Sequence, residues 1–234
     1  TVCVDGISSY PVMKSNHSFD LLSCFPASAE PGKAFTSITY SNLYFREPES
    51  RADQTRMMSI VTTGAETGYY VDVFRSRKEK GGDKMHDYFY HNLGQTLTLT
   101  AADGSDLNLQ PTEELAFAGA HLYAYSYLYD KKVAATAKDV KATFTIDMKD
   151  KDGDDIYTNL WMKGEPDREV FTALAPMTEG LSRTPNMPYN IKEQPTLTFV
   201  ARQHGEAWNR PFVSIYEPST KKEPSTIQSV SYFD

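Results

Sequence analysis

Two neighbouring segments with strictly alternating apolar and polar residues constrain the fold of this chain most. In residues 141–148 every second residue is apolar, and the alternation resumes over residues 156–163. A period of two residues puts all apolar side chains on one face of an extended strand, whereas a helix requires a period of about 3.6. The connecting residues 149–155 contain Asp152-Gly153, a pair that suits a tight turn. The pattern predicts an antiparallel hairpin with one buried face.

Similar patterns recur along the chain, separated by turn signals about every 8–12 residues, which is the spacing of a sandwich or barrel. Further strands are predicted at residues 1–6, 69–75, 86–92, 170–175, 197–203 and 211–217, around Leu97 and Leu99, and around Leu107 and Leu109. No internal repeat or change of composition marks a boundary. We therefore predict an all-β fold, a large antiparallel β-sandwich of the supersandwich kind with little helix, formed by residues 1–234 as one domain.

The signals for helix are few. Thr112 begins a helix-capping pattern that is followed by a short apolar run, and this predicts a short helix or a turn. The tyrosines of residues 123–129 then alternate as in a strand. Residues 177–194 read as a long connection between strands.

Charge and composition exclude several classes of function. The net charge of −7 argues against a nucleic-acid partner, which requires a basic surface. No run of about 18 apolar residues is present, so no membrane span is predicted. Fingerprints for nucleotides, catalytic serines and zinc are absent from the sequence, and no cofactor is predicted. Cys3 and Cys24 are interpreted as small buried apolar residues, with one disulfide as the alternative.

A histidine- and tyrosine-rich strand is the first candidate for chemistry. His86 and His91 are five residues apart, so on a strand they point to opposite faces and cannot share one metal. His86, Tyr88 and Tyr90 share a face, and a His/Tyr pair can transfer protons. The alternative is a structural aromatic strand, which we favour.

A second candidate is the series of alternate carboxylates Asp150, Asp152 and Asp154, which resembles the first half of a calcium-binding loop. That loop requires glycine at its sixth position and glutamate at its twelfth, where this chain has Asp155 and Trp161. We therefore interpret the segment as a solvated acidic turn and predict no metal site.

The most unusual segment is residues 202–212, which combines Trp208 with Arg210 and His204. An indole ring can stack on a pyranose while nearby cations pair with acidic groups. These three residues are the predicted carbohydrate contacts. The alternative is a loop whose tryptophan packs on the sandwich, and that alternative is favoured.

Five segments in order resemble one family. They are residues 1–6 (Thr-Val-Cys-Val-Asp-Gly), 71–75 (Val-Asp-Val-Phe-Arg), 86–91 (His-Asp-Tyr-Phe-Tyr-His), 125–128 (Tyr-Ser-Tyr-Leu) and 206–218 (Glu-Ala-Trp-Asn-Arg-Pro-Phe-Val-Ser-Ile-Tyr-Glu-Pro), with a Gly-Gly turn after the second. In that order and spacing they are similar to the β-sheet region of heparinase II/III-like polysaccharide lyases.

The resemblance implies a bacterial, periplasmic or secreted enzyme in which a helical toroid packs against a sandwich. Such enzymes cleave acidic polysaccharides, glycosaminoglycans among them, by β-elimination. A base removes the proton next to the uronic carboxylate, and a cation or amide stabilises the resulting charge. The family's catalytic residues come largely from the toroid, and a further His, with zinc where present, precedes the segment that Thr1 begins here. The resemblance thus places no catalytic or metal residue on this chain.

These expectations define a non-catalytic sandwich portion of a larger lyase, which supports the toroid and the substrate cleft. Its expected partners are the absent toroid and, through the parent enzyme, an acidic polysaccharide. Two alternatives stay open. One is a free-standing carbohydrate-binding module that uses Trp208, and the other is a small enzyme that uses His86, Tyr88 and Tyr90.

Overall fold

The computed structural model describes residues 2–7, 18–27, 37–116, 125–148, 153–177 and 191–232. The strands are β1 (Val2–Val4), β2 (Asp20–Phe25), β3 (Ile38–Glu47), β4 (Ala52–Thr62), β5 (Gly68–Lys78), β6 (Met85–Asn92), β7 (Thr96–Ala101), β8 (Gln110–Pro111), β9 (Tyr129–Ala135), β10 (Val140–Ile146), β11 (Ile156–Met162), β12 (Glu169–Ala175), β13 (Thr196–His204) and β14 (Ala207–Thr220). The helical elements in these ranges are two 3-10 turns, Tyr125–Tyr127 and Ile191–Glu193. The predicted all-β fold is confirmed.

The strands form two antiparallel sheets. The six-stranded sheet has the order β1-β6-β13-β12-β9-β8, and the eight-stranded sheet has the order β2-β3-β4-β5-β14-β11-β10-β7. The predicted hairpin is β10–β11, with a regular register from Val140 opposite Met162 to Ile146 opposite Ile156. No helix in the described ranges is long and apolar enough to cross a membrane.

The core lies between the two sheets, where the apolar faces of the alternating strands meet. Phe144 from β10, Phe199 from β13 and Phe212 from β14 are fully enclosed there. The rings of Tyr90 and Phe144 meet edge to face, with 5.4 Å between their centroids. Complete burial of one such side chain stabilises the fold by about 1.5–3 kcal/mol, so the enclosed rings of this interface contribute strongly to stability.

The eight-stranded sheet extends beyond the six-stranded sheet at its β2–β4 end. Register places Ile60 opposite Tyr70 and Met58 opposite Asp72, on the face of β5 that carries the buried Phe74. Met58, Ile60 and Tyr70 are nevertheless 39%, 41% and 40% exposed, so the second sheet does not cover them. We call this inner surface of Met58, Ile60 and Tyr70 the open face.

Two sequence-based expectations are wrong in detail, and a third falls largely outside the described part. Residues 112–116 form no helix, and residues 117–124, which hold the rest of the predicted helix or turn, are not described. Tyr125 and Tyr127 lie in a 3-10 turn instead of a strand, and this turn brings the Tyr125 hydroxyl to Asp87. Leu107 and Leu109 lie outside the strands, because Asn108 between them has a φ of 54° and interrupts the extended backbone.

The two cysteines are free thiols in different sheets. Cys3 on β1 is buried, and burial raises the pKa of its thiol to about 12. Cys24 on β2 is half-buried. The interpretation as small apolar residues therefore holds for Cys3, and no disulfide joins the pair.

Candidate carbohydrate-contact site

An irregularity in β14 positions Trp208. In the pairing of β14 with β5, Ala207 lies opposite Ser76 and the next paired residue is Phe212, opposite Phe74. Residues 208–211 therefore stand opposite a single residue, Arg75. Bulges of this kind redirect side chains out of the regular alternation and are frequent next to functional sites. We call residues 208–211 the Trp208 bulge.

Two side chains fix the shape of the Trp208 bulge. The Arg75 guanidinium donates a hydrogen bond to the backbone carbonyl of Trp208. The Glu206 carboxylate accepts hydrogen bonds from the backbone amides of Trp208, at 2.5 Å, and Asn209, at 3.0 Å. Backbone groups that leave the β-ladder need such partners, and these contacts hold Trp208 in one orientation.

The ring of Trp208 makes a cation–π contact with an arginine that is distant in sequence. The central guanidinium carbon of Arg77, on β5, lies 4.2 Å from the ring centroid. Trp208 is half-buried and Arg77 is exposed. A cation–π contact at an exposed site contributes about 0.5–1 kcal/mol and restricts the position of the guanidinium over the indole.

The other two predicted contacts lie beside the Trp208 bulge but have partners within the chain. Arg210 Nη2 donates to the backbone carbonyl of His204 at 2.9 Å. The ring of His204 is exposed, and its Nε2 lies 3.0 Å from Glu169 Oε2. The structure thus brings Arg210 and His204 together through the backbone, whereas the side-chain neighbours of Trp208 are Arg75, Arg77 and Glu206.

The charge around the Trp208 bulge is predominantly positive. Three arginines elsewhere pair with carboxylates, in the pairs Arg46–Glu79, Arg56–Asp72 and Arg202–Asp87. Within the described part of the chain, no ion pair joins Arg75, Arg77 or Arg210 to a carboxylate; their contacts are backbone carbonyls and the indole ring. The nearby carboxylate of Glu206 accepts hydrogen bonds from backbone amides and keeps its negative charge, which the three guanidinium groups outnumber. The site therefore offers cationic groups to an anionic ligand, in a chain whose net charge is −7.

The histidine and tyrosines of β6 have a different environment. His86, Tyr88 and Tyr90 share the inner face as predicted, but His86 is 0% exposed and its Nε2 lies 2.8 Å from Asp83 Oδ2. Burial lowers the pKa of His86 and raises that of Tyr88 well above its usual value. His91, predicted to face the other way, does so and contacts Thr198.

Tyr88 belongs to a hydrogen-bonded network that borders the open face. Its hydroxyl donates to Asp72 Oδ2 at 2.8 Å and contacts the Tyr216 hydroxyl. Arg56 donates to both oxygens of Asp72, with Nε–Oδ1 at 3.0 Å and Nη2–Oδ2 at 2.8 Å. Because these groups satisfy one another inside the sandwich, their arrangement is that of a structural network.

Asp154 is the one member of the acidic series within the described residues. Its carboxylate accepts hydrogen bonds from the backbone amides of Lys221, at 3.0 Å, and Lys222, at 2.7 Å. Asp150 and Asp152 lie outside the described part. Across the residues that the structure does describe, no group of three or more His, Cys, Asp or Glu side chains is arranged to hold a metal.

Taken together, fold and site define an antiparallel β-sandwich with an aromatic, arginine-rich surface site. No family model matches the chain. The chain is 32% identical over 196 residues to an endo-acting ulvan lyase of Formosa agariphila, and the match covers 82% of this chain and 22% of that protein. The chain is therefore related in sequence to a polysaccharide lyase, and it spans well under two thirds of that relative.

Proposed function

We propose that this chain is the β-sandwich portion of a larger, heparinase II/III-like polysaccharide lyase, and that it binds and supports without transferring protons itself. The observation that carries the proposal is a separation of roles. The best acid–base candidates, His86 and Tyr88, are buried and bonded within the chain, whereas Arg77 beside the Trp208 bulge is exposed and Arg75 and Arg210 are partly exposed. A proton-transfer group must reach its substrate, and a polysaccharide cannot reach a fully buried imidazole.

The open face supports the second half of the proposal, the docking of a helical toroid. Met58, Ile60 and Tyr70 form adjacent exposed apolar side chains on a face that is core elsewhere in the same sheet. A contiguous apolar surface of this kind marks an interaction site. The relative is much longer than the matched segment, which leaves room in such a protein for a toroid.

The proposed substrate of the parent enzyme is an acidic polysaccharide, cleaved by β-elimination. The positive charge of the Trp208 bulge favours an anionic polymer, and the name of the relative suggests ulvan as the first polymer to test. An enzyme that acts on such a polymer meets it outside the cytoplasm, so we place the parent protein in the periplasm or outside the cell.

The lyase assay tests the proposal directly. Elimination creates a carbon–carbon double bond in the product, which absorbs in the ultraviolet. We expect the purified 234-residue chain to give no increase in absorbance with ulvan under conditions in which the Formosa enzyme does. An increase with the chain alone that is lost in His86→Ala would overturn the proposal in favour of a small enzyme.

The Trp208 bulge also favours a second candidate, a free-standing carbohydrate-binding module. Isothermal titration of the chain with oligosaccharides of ulvan, heparan, alginate and chondroitin separates the two functions. Micromolar binding by the chain alone that is lost in Trp208→Ala, is retained in the surface control Lys138→Gln and is equally tight in a longer protein that carries the toroid supports the module, whereas tighter binding by the longer protein supports the sandwich portion of a lyase. Lys138 suits this control because it is exposed and pairs with Asp103.

A further inference from the structure

We infer that the Trp208 bulge is a subsite for an anionic substituent of a sugar, either a sulfate ester or a carboxylate, and that Arg77 is its principal contact. The inference rests on the proposed function only in taking a polysaccharide as the ligand. It gives Trp208 a different role from the one that the sequence suggests, because Arg77 occupies a face of the indole that a pyranose would use.

The contact with the indole prepares Arg77 for an oxyanion. A guanidinium whose central carbon lies over an aromatic ring still has N–H groups at its edge, where two of them can donate to two oxygens of a sulfate or carboxylate. A free arginine side chain loses about 2 kcal/mol of rotamer entropy when it is fixed. The indole restricts Arg77 before any ligand arrives, so less of that cost falls on binding.

Two neighbouring carboxylates, those of Asp53 and Glu206, keep their negative charge but form no ion pair with Arg77. Asp53 lies opposite it in the β4–β5 register, but Asp53 Oδ1 accepts a hydrogen bond from the Tyr44 hydroxyl at 2.8 Å. Glu206 is held by the amides of the Trp208 bulge. No ion pair within 4.0 Å joins Arg77 to any carboxylate of the described residues. Its charge is therefore available to a ligand.

Two more guanidinium groups widen the subsite. Arg75 and Arg210 each donate to a backbone carbonyl, those of Trp208 and His204 respectively. Such contacts fix the position of a guanidinium without cancelling its charge. Arg75, two residues before Arg77 on β5, and Arg210, within the Trp208 bulge, therefore add positive charge near the subsite, which favours association with an anionic polymer.

Binding of three soluble polymers to the 234-residue chain tests the inference: dextran sulfate, which carries sulfate esters, polygalacturonate, which carries carboxylates, and uncharged dextran. We expect the wild-type chain to bind one or both charged polymers and not dextran. Arg77→Gln should weaken that binding roughly 10- to 100-fold, the effect of losing charge-assisted hydrogen bonds. Arg77→Lys keeps the positive charge but loses the planar, forked donor geometry of the guanidinium. Its affinity for the charged polymers should lie between that of the wild-type chain and that of Arg77→Gln.

The matched control is Lys138→Gln, which removes the same charge at a site where Lys138 pairs with Asp103. Its binding should stay within about twofold of wild type, because the pair is exposed and weak. A spectroscopic readout adds a second check. The chain has two tryptophans, and the fluorescence change on binding should disappear in Trp208→Phe. Thermal unfolding of each variant confirms that it is folded.

Equal binding by Arg77→Gln and Lys138→Gln would overturn the inference, as would binding of dextran as tight as that of the charged polymers, or no binding of either charged polymer. None of these binding results affects the interpretation of the lyase assay. A chain that lacks eliminase activity but binds ulvan independently of Arg77 would therefore leave the proposed function standing while removing this subsite.

Discussion

The covered part of the eight-stranded sheet and its open face share strand β5, but their side chains on the same face differ in burial. Along β5, Phe74 is buried in the core at 4% exposure, whereas Tyr70, four residues earlier on the same face, is 40% exposed. The alternation of side chains is identical in both places. Alternation therefore determines which face a residue occupies, whereas the extent of the opposing sheet determines whether that face is buried.

The largest effect on the free energy of unfolding is expected from a substitution in the covered part of the eight-stranded sheet. Phe144→Ala removes a fully enclosed ring that packs on Tyr90, and we expect the free energy of unfolding to fall by about 3–5 kcal/mol. Urea unfolding monitored by circular dichroism measures the change. Phe144→Leu, which keeps most of the volume, should cost less than about 1.5 kcal/mol. Equal small losses in both variants would contradict the assignment of this ring to the core.

The parts of the fold that the sequence predicted depend on local signals. The β10–β11 hairpin joins segments separated by one turn, and its alternation specified both strands and their pairing. Strands β2, β3, β4 and β9 were missed, because their polar and apolar residues alternate less regularly, and β8 was missed because it has only two residues. The open face was missed with them, since local pattern carries no information on where an opposing sheet ends.

The candidate site also shows that local sequence patterns do not predict contacts between distant segments. The sequence selected Trp208 because tryptophan is rare and lies among cations, but it paired this residue with its chain neighbours. The contact with Arg77 spans two strands and depends on the β5–β14 register, which the bulge shifts between Ala207 and Phe212. A bulge of that size has no signal in a single sequence other than the break in alternation around Asn209.

A smaller contribution to the free energy of unfolding is expected from the buried His86, and the size of this contribution depends on pH. Burial lowers its pKa in the folded chain below the ordinary value of 6.5, so the unfolded chain binds the proton first as pH falls. The contribution of His86 to stability is therefore complete above about pH 6.5 and is lost as pH falls below it. Urea unfolding at about pH 7.5, 6.5 and 5.5 measures this slope.

The matched pair for that experiment is His86→Asn and His204→Gln. The first should reduce the dependence of stability on pH, and the remaining slope includes the contribution of His91, whose pKa is also lowered by burial. The second removes an exposed ring at the end of β13 and should leave most of the slope in place. If His86→Asn leaves the pH dependence of the free energy of unfolding unchanged, His86 is accessible to protons in the folded state. His86 would then again be a candidate proton-transfer group.

The smallest effect is expected on the open face. Ile60→Thr keeps the β-branched shape that suits a strand and removes apolar surface, so it isolates the contribution of burial. Because Ile60 is already 41% exposed, the free energy of unfolding of the chain should change by no more than about 0.5 kcal/mol. In a longer protein that carries the proposed toroid, the same substitution should cost more, since docking would bury this face. A loss of more than about 1.5 kcal/mol in the free energy of unfolding of the 234-residue chain would instead mean that another part of the same chain covers Ile60. The open face would then be buried like the covered part of the sheet.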